Sequence, residues 1–223
     1  MAHPIDTFIA PICHQQIEIL FQDEHILLIN KPSGLLSLSG KNPLNKDSVH
    51  LRLVQQFSEA RLAHRLDFGT SGIMLVALNK EVNANLTKQF QQRSVVKKYQ
   101  CVVTGHLLLE EGCIDIPIIK DEANFPLQKV CHQRGKHALS QYQVVERLFK
   151  PARTRLLFTP LTGRTHQLRV HCQEIGHPIL GCDLYGTPES HAMAKRLLLH
   201  ALSFEFDHPV YNERFKIHCP CPF

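Results

Sequence analysis

A polar block at residues 61–72 is the first segment of this chain whose residue types could do chemistry. It contains His64, Arg65 and Asp67 and ends in a Gly-Thr-Ser-Gly turn. A carboxylate in such a setting can act as a nucleophile or as a base. Taken alone, these residues favour a structural role, because Asp67 could pair with Arg65, and an Asp before a Gly-rich turn often caps that turn. The block therefore identifies a candidate carboxylate with two alternative roles.

A second polar block, residues 162–171, places Arg164, His166 and Arg169 around the start of a predicted helix. Cationic groups oppose the helix macrodipole, which favours anions at an N-terminus. The cluster makes sense if an anion lies against it, either a phosphate or a carboxylate from elsewhere in the chain. The planar guanidinium of an arginine could hold Asp67 ionised and oriented. The alternative is that these side chains are solvated surface groups.

Apolar spacing predicts the elements that must position these blocks. Alternating or continuous apolar runs predict strands, and apolar residues three or four apart predict helices. Strands outnumber helices and do not alternate regularly with them, which indicates an α+β fold with a mixed, mainly antiparallel β-sheet core and flanking helices. The predicted strands are 17–21, 25–30, 73–78, 98–104, 141–146, 153–159 and 197–206, and the predicted helices are 49–57 with Asp47 as its cap, 81–93, and 165–175 with Gly176 after its end.

Bulk properties narrow the class of protein. The net charge of +5 and the pI near 8.8 permit a polyanionic partner without requiring one. The chain has neither a G-x-G-x-x-G segment nor a P-loop. No export signal opens the sequence, and the longest apolar run, residues 73–78, is too short to cross a bilayer. We therefore expect a cytoplasmic protein with no membrane association.

Eight cysteines raise the questions of disulfides and zinc. Cytoplasmic thiols stay reduced, and a free Cys behaves as a small buried hydrophobe. The tightest pair, Cys219 and Cys221, is separated by one residue, whereas structural zinc sites use about two to four. We expect no disulfide and no metal site.

Several segments, in register along the chain, resemble the signatures of one enzyme family. His64 to Gly72 is similar to the H-R-L-D-x-x-T-S-G signature of the ribosomal large-subunit pseudouridine synthases of the RluA type. The resemblance covers about residues 18–223, so residues 1–17 are predicted to be an N-terminal extension of the catalytic domain. The other matching segments are Asn30 to Leu35 (N-K-P-x-G-L), Lys97 to Tyr99 (K-x-Y), Gly163 to His171 (G-R-T/S-H-Q-L-R-V-H), His177 to Gly181, and Leu199 to Ala201.

The resemblance implies the pseudouridine synthase fold and an RNA partner. The few residues before the core cannot hold the S4-type module that many family members carry. Residues 124–131 are similar to the N-x-P-x-Q-K-V segment of the short dual-specificity members, which modify 23S rRNA and tRNA anticodon loops. Residues 121–123 depart from that pattern, where an aromatic-containing stretch is typical. We expect a monomer that converts uridines to pseudouridine in RNA stem-loops.

The implied reaction breaks the N1–C1′ glycosidic bond, rotates the uracil and rejoins it through C5, so it needs no cofactor. The family pattern assigns catalysis to Asp67, Tyr99 and Arg169. Asp67 would act as a nucleophile or a base. Arg169 would pair with it, since an opposite charge lowers an Asp pKa by about one to three units. Tyr99 would stack on the uracil. We expect Asp67 to be buried and ionised.

RNA contacts follow from the same resemblance, because a stacked uridine must be flipped out before its glycosidic bond can be reached. Arg65 would fill the vacated space, and Leu168 would wall the pocket beside Tyr99. His64 could bind backbone or phosphate, or make a structural hydrogen bond instead. The predicted phosphate contacts, each of which could equally be a solvated surface group, are Lys97, Lys98, Lys129, Arg134 and Arg164.

Two rival functions make different demands on the sequence. A catalytically silent RNA-binding module would have lost Asp67, Tyr99 or Arg169, and all three are present. A hydrolase would need a second carboxylate or a metal-ligand set with recognisable spacing, and neither is evident.

Overall fold

The computed structural model describes residues 8–223, which form twelve strands and four helices in two compact units. Unit 1 runs up to Lys97 and resumes at His200–Pro222; unit 2 is Lys98–Leu199 with Phe223. In chain order the elements are β1 (Glu18–Gln22), β2 (Ile26–Lys31), α1 (Val49–Val54), β3 (Arg61–Leu62), β4 (Ser71–Ala77), α2 (Lys80–Gln92), β5 (Val96–Thr104), β6 (Glu111–Asp115), β7 (Ile118–Lys120), β8 (Gln128–Val130), β9 (Leu139–Leu148), β10 (Arg153–Pro160), α3 (Gln167–Glu174), α4 (Pro188–Ala192), β11 (Leu199–Asp207) and β12 (Arg214–His218).

Unit 1 is built on a mixed sheet. β2 pairs antiparallel with both β1 and β4, and β12 pairs antiparallel with β11. β4 and β11 run parallel, with His200 opposite Ser71 and Ala201 opposite Gly72. Every residue of β4 is buried, which explains its continuous apolar sequence, since a strand covered on both faces has no solvent-facing positions.

Gly72 is a point of close approach between β4 and β11. Its φ is +107°, and a Cβ atom at this position would overlap the backbone carbonyl of Ala201. Only glycine combines that dihedral with so close an approach. The glycine that ends the Gly-Thr-Ser-Gly turn is therefore required by the sheet that follows Asp67.

The cap of α1 corrects one sequence expectation. Ser48, not Asp47, caps the helix, because its Oγ accepts a hydrogen bond from the Leu51 backbone N–H. Asp47 instead pairs with Arg52 at 2.6 Å. The same guanidinium donates to the carbonyls of Cys13 and Gln15, so it ties the chain before β1 to unit 1.

Unit 2 has an antiparallel sheet in the order β5-β10-β9-β6, together with the separate β7–β8 hairpin. Its core contains Phe158 and Leu156 from β10, Val103 from β5, and Leu168 and Val170 from α3. The apolar face of α3 is thus what fixes the helix that carries Arg169.

The fold-class prediction, an α+β fold with a mixed and mainly antiparallel sheet, is confirmed. Residues 8–17 form no helix or strand and β1 begins at Glu18; the division into an extension at 1–17 and a catalytic domain stays a prediction, and residues 1–7 lie outside the described part. Among residues 8–223, no helix has the length and apolar character needed to cross a membrane.

Candidate functional site

Asp67 lies in unit 1, in the loop between β3 and β4. Its backbone carbonyl accepts from the N–H of Thr70, which closes a tight turn. Leu66 and Thr70, on either side, are buried. Asp67 itself has intermediate exposure, so the expectation that it is buried is wrong. The loop is anchored through the residues on either side of Asp67.

Lys31, the last residue of β2, is fully buried beneath this loop. Its Nζ donates to the carbonyls of Pro32 at 2.8 Å, Leu35 at 2.7 Å and Phe68 at 3.2 Å. An ammonium group has three donors, and each one has a carbonyl here. The Asn-Lys-Pro-Ser-Gly-Leu turn thus binds the residue directly after Asp67.

Two serines complete the attachment of the Asp67 loop. Ser33 Oγ donates to the Gly69 carbonyl at 2.6 Å. Ser37 Oγ donates to the Leu66 carbonyl at 2.6 Å and accepts from the Leu66 N–H at 3.2 Å. Backbone on both sides of Asp67 is therefore held in place, which is the preorganisation that a reacting carboxylate requires.

His64 is packed inside unit 1. Its ring stacks on Phe204 at a centroid distance of 5.0 Å and lies 4.9 Å from the ring of Phe90. Nε2 accepts a hydrogen bond from the Leu75 N–H. Burial, helped by the positive charge of Lys97, lowers the pKa of His64 to about 3, so the ring is neutral. This geometry supports the structural alternative, and an RNA contact by His64 stays a prediction.

Lys97 and Arg65 are the other cationic candidates in unit 1. Lys97 Nζ lies 5.7 Å from the ring centroid of Phe90, and burial lowers its pKa. Arg65 is exposed in the loop before Asp67. The exposed position suits a side chain that enters nucleic acid, whereas Lys97 is partly withdrawn from solvent.

Arg169 lies in unit 2 with only 4% of its surface exposed. Its Nη2 binds Asp183 Oδ1 at 2.6 Å, its Nε faces Cys182 Sγ at 3.4 Å, and the guanidinium lies 5.2 Å above the Tyr185 ring. A carboxylate from elsewhere in the chain was one of the two anions expected near this cluster, and Asp183 supplies it. The guanidinium is fixed from three directions.

Tyr185 links Arg169 to the β7–β8 hairpin. Its hydroxyl oxygen accepts from the Gln128 N–H at 2.8 Å and lies 2.7 Å from His166 Nδ1. His166 has φ of +56°, so this bond also holds an uncommon backbone conformation.

Gln167 fixes the loop that precedes α3. Its buried Oε1 accepts from the Arg164 N–H and from Thr162 Oγ1, and its Nε2 donates to the Leu139 carbonyl and to Ser140 Oγ. Four hydrogen bonds satisfy the whole amide. The Gly-Arg-Thr-His segment is therefore held against β9.

The remaining candidates of unit 2 differ in their surroundings. Tyr99 lies on β5 opposite Phe158 and packs against the core, and Leu168 is buried in that core. Lys98 is partly exposed. Lys129 is engaged by Asp121 at 3.0 Å, so a phosphate contact by Lys129 would share its ammonium group with that carboxylate. Arg134 and Arg164 both line one groove.

Three site residues escaped the sequence analysis: Lys31 as a buried donor, and Asp183 and Tyr185 as partners of Arg169. Lysine is almost never fully buried, so the local sequence does not predict that the Lys31 side chain lies inside the protein. Asp183 directly follows the segment 179–182, and Tyr185 lies two positions further on. A charged residue at the end of such a segment is the signal that could have found Asp183.

The eight cysteines form no disulfide. Within the described range, 8–223, no group of three or more His, Cys, Asp or Glu side chains is arranged to hold a metal ion.

Comparisons with known proteins identify the class. Residues 25–174 match the family model described as RNA pseudouridylate synthase. The chain is 47% identical over 205 residues to the dual-specificity RNA pseudouridine synthase RluA of Yersinia pestis, covering 92% of this chain and 99% of that one. It is 46% identical to the protein of the same description from Escherichia coli K12, covering 92% and 93%.

Solved structures agree with this match. Human RNA pseudouridylate synthase domain containing 1 superposes with a TM-score of 0.79 at 29% identity, covering 96% of this chain and 86% of that chain. The corresponding human domain containing 4 has a TM-score of 0.75 at 26% identity, with 92% and 88% covered.

The chain belongs to the RNA pseudouridylate synthase family. It is a pseudouridine synthase, an isomerase of RNA uridines, and the predicted RluA-type membership is confirmed.

Proposed function

We propose that this enzyme isomerises uridines in stem-loops of 23S rRNA and of tRNA anticodon loops, as a cytoplasmic monomer without a cofactor. Two relatives with 47% and 46% identity are described as dual-specificity RNA pseudouridine synthases, which supports more than one RNA target. The similarity of residues 124–131 to the short dual-specificity members supports the same choice.

The proposed chemistry begins with breakage of the N1–C1′ bond of a flipped uridine. The Asp67 carboxylate acts as a nucleophile at the sugar or as a base on it. The freed uracil turns, C5 bonds to C1′, the C5 proton leaves, and N1 gains a proton, so no electrons are exchanged with a redox partner. The observation that carries this role is the loop on both sides of Asp67, held by Lys31, Ser33 and Ser37.

Arg169 and Tyr99 take the roles that the family resemblance implies. Arg169 balances the charge of the Asp67 carboxylate, and its preset orientation by Asp183 and Tyr185 supports a positioning task of this kind. Tyr99 stacks on the uracil while the base turns. Leu168 supplies an apolar wall beside it.

RNA binding is proposed to use exposed cations around the target uridine. Arg65 fills the space that the flipped base leaves, since a guanidinium can both stack and bind phosphate. His64 is assigned to holding the Leu75 backbone in unit 1 rather than to RNA, on the strength of its packing. Lys97, Lys98, Lys129, Arg134 and Arg164 remain the proposed phosphate contacts.

A genetic experiment tests the target assignment. Pseudouridines are mapped in 23S rRNA and tRNA from cells lacking the gene and from the same cells expressing wild type, Asp67→Asn or Asp207→Asn. We expect sites in both RNA classes to be lost in the deletion and restored by wild type. Asp207→Asn is the matched control, because the Asp207 carboxylate forms a surface ion pair with Arg214 at 3.3 Å and the residue's other hydrogen bonds use the backbone.

The outcomes separate target from mechanism. If every site remains modified in the deletion, the proposed targets are wrong. Loss of sites in only one RNA class would refute the dual assignment. Restoration by Asp67→Asn would refute the role of Asp67.

A further inference from the structure

Unit 2 contains a groove of about 410 Å³ between the β7–β8 hairpin, the turn after it and the loop before α3. Two isoleucines, 118 and 119, are its apolar lining; the other lining residues are charged, polar or glycine. Four of them are cationic: Lys120, Arg134, Lys136 and Arg164. The groove therefore concentrates positive charge in a concave surface.

The four groove cations differ in ion pairing from the side chains beside them. Within the described residues, none of them forms an ion pair, whereas neighbouring Lys129 pairs with Asp121 and His137 with Asp115. Asp121, the carboxylate next to Lys120 in the sequence, is thus already engaged by Lys129. Like charges gathered without counter-charges repel one another, and a bound anion removes that repulsion.

Two hydrogen bonds to the surrounding protein hold Arg164 in place. Its Nε donates to the His137 carbonyl at 2.9 Å and its backbone N–H to the buried Gln167 side chain at 2.9 Å. Neither Nη group of Arg164 has a hydrogen-bond partner among residues 8–223. An arginine anchored through Nε keeps the paired donors that match two phosphate oxygens.

The opposite side of the groove is also tied down. Lys136 exchanges both backbone hydrogen bonds with Ile118, at 2.9 and 3.0 Å, and Gly135 N–H closes the turn onto the Cys131 carbonyl at 2.8 Å. Arg134 and Lys136 are exposed in this turn. Lys120 lies with Nζ 5.5 Å from the ring centroid of Phe125. The backbone positions of the cations are therefore set before any ligand arrives.

We propose that this groove binds the phosphodiester backbone of the RNA substrate at nucleotides flanking the target uridine, with Lys120, Arg134, Lys136 and Arg164 as the contacts. This inference rests on the proposed function. Cations on both sides of an open groove suit a chain of phosphates that continues beyond it, and phosphate contacts fix the register of a nucleic acid without reading its bases. Lys120 and Lys136 extend the phosphate contacts beyond those the sequence indicated.

The test compares two double variants with the same change in charge. Arg134→Gln/Lys136→Gln removes two cations from the groove. Lys150→Gln/Lys195→Gln removes two exposed cations of unit 2 that do not line it. Kd for a stem-loop RNA is measured over a range of salt concentrations, together with KM for pseudouridine formation, and unfolding curves confirm that each variant is folded.

For the groove variant we expect Kd and KM about tenfold higher, and a slope of log Kd against log salt that is smaller by about 0.7 per lost phosphate contact. The control variant should keep the wild-type slope. Equal changes in the two variants, or no change in the groove variant, would overturn the proposal.

A second arm locates the contact. Stem-loops carrying a single uncharged methylphosphonate at successive positions are bound to wild type and to the groove variant. Wild type should lose affinity at one or two positions near the uridine, and the groove variant should lose nothing further there. If each methylphosphonate lowers the affinity of the groove variant as much as that of wild type, the groove does not contact those phosphates and the proposal is wrong. If wild type forms no pseudouridine in any stem-loop, the proposed function is wrong. If wild type is active and the groove variant binds RNA as wild type does, only the proposal about the groove is wrong.

Discussion

The side-chain nitrogen of Lys31 lies 3.2 Å from the carbonyl oxygen of Phe68, the residue directly after Asp67. A turn at the end of β2 therefore helps to position Asp67 through the backbone of its neighbour. Lys31, Ser33 and Ser37 make this a rigid loop built from two distant segments of unit 1.

Replacing Lys31 by methionine should be costly, because the three carbonyls that it binds would lose their shared donor. We expect the free energy of unfolding to fall by about 3 kcal/mol and pseudouridine formation to fall more than RNA binding does. Urea unfolding, kcat and Kd are the measurements. Lys41→Met, at an exposed position, should behave like wild type; equal stability of the two variants would refute the role of Lys31.

Stability should depend on His64 below neutral pH. The pKa of His64 is about 3 in the folded protein and about 6.5 in the unfolded chain, so below pH ~6.5 the unfolded state binds the extra proton. The contribution of neutral His64 to the free energy of unfolding is fully present above that pH. It declines by about 1.4 kcal/mol per pH unit as the pH falls toward 3. Urea unfolding at several pH values should show a shallower decline for His64→Gln. The exposed His218→Gln should keep the wild-type decline, and an identical decline in all three proteins would contradict the assigned burial.

Gly72→Ala should disrupt the β4–β11 pairing, since the added Cβ would overlap the Ala201 carbonyl. We expect a loss of more than about 3 kcal/mol in unfolding free energy. Gly176→Ala is the matched control: its φ is +78° with no atom within 4 Å of the new Cβ, so it should cost about 1 kcal/mol through backbone strain alone. Similar losses in both variants would show that the close approach is unimportant.

Asp183 should act as a positioning residue for Arg169. The Asp183 side chain is 58% exposed, whereas that of Arg169 is 4% exposed, so Asp183→Asn should lower the unfolding free energy by only about 1 kcal/mol. Its effect on kcat should be larger, about tenfold, with Kd for RNA changed less and partial rescue by Asp183→Glu. If kcat tracks stability alone, Asp183 is merely structural.

Much of the scaffold was predictable because its main elements are strongly periodic. The apolar runs of β2 and β4 and the spacing of Val82 and Leu86 in α2 appear in the structure within a few residues of the predicted bounds. β3, β7 and β8 have only two or three residues each, too few for any periodicity, and they went unpredicted.

Site geometry was less accessible, since it depends on segments distant in sequence. Residue types and family motifs singled out Asp67 and Arg169. They could not indicate that Lys31 is buried under the Asp67 loop, because Lys31 and its hydrogen-bond partner Phe68 are 37 positions apart in the sequence. Nor could they indicate that Asp183 binds Arg169 across 14 positions, because only folding of the intervening chain brings these atoms together.

The central claim is that Asp67 performs the isomerisation. A stem-loop RNA labelled with tritium at C5 of its uridines reports the reaction directly, because C5 loses its hydrogen when it bonds to C1′. Purified wild type should release tritium in step with pseudouridine formation. Asp67→Asn should bind the same RNA and unfold at the same urea concentration as wild type, but release tritium only at background. Tritium release by Asp67→Asn at the wild-type rate would contradict the account.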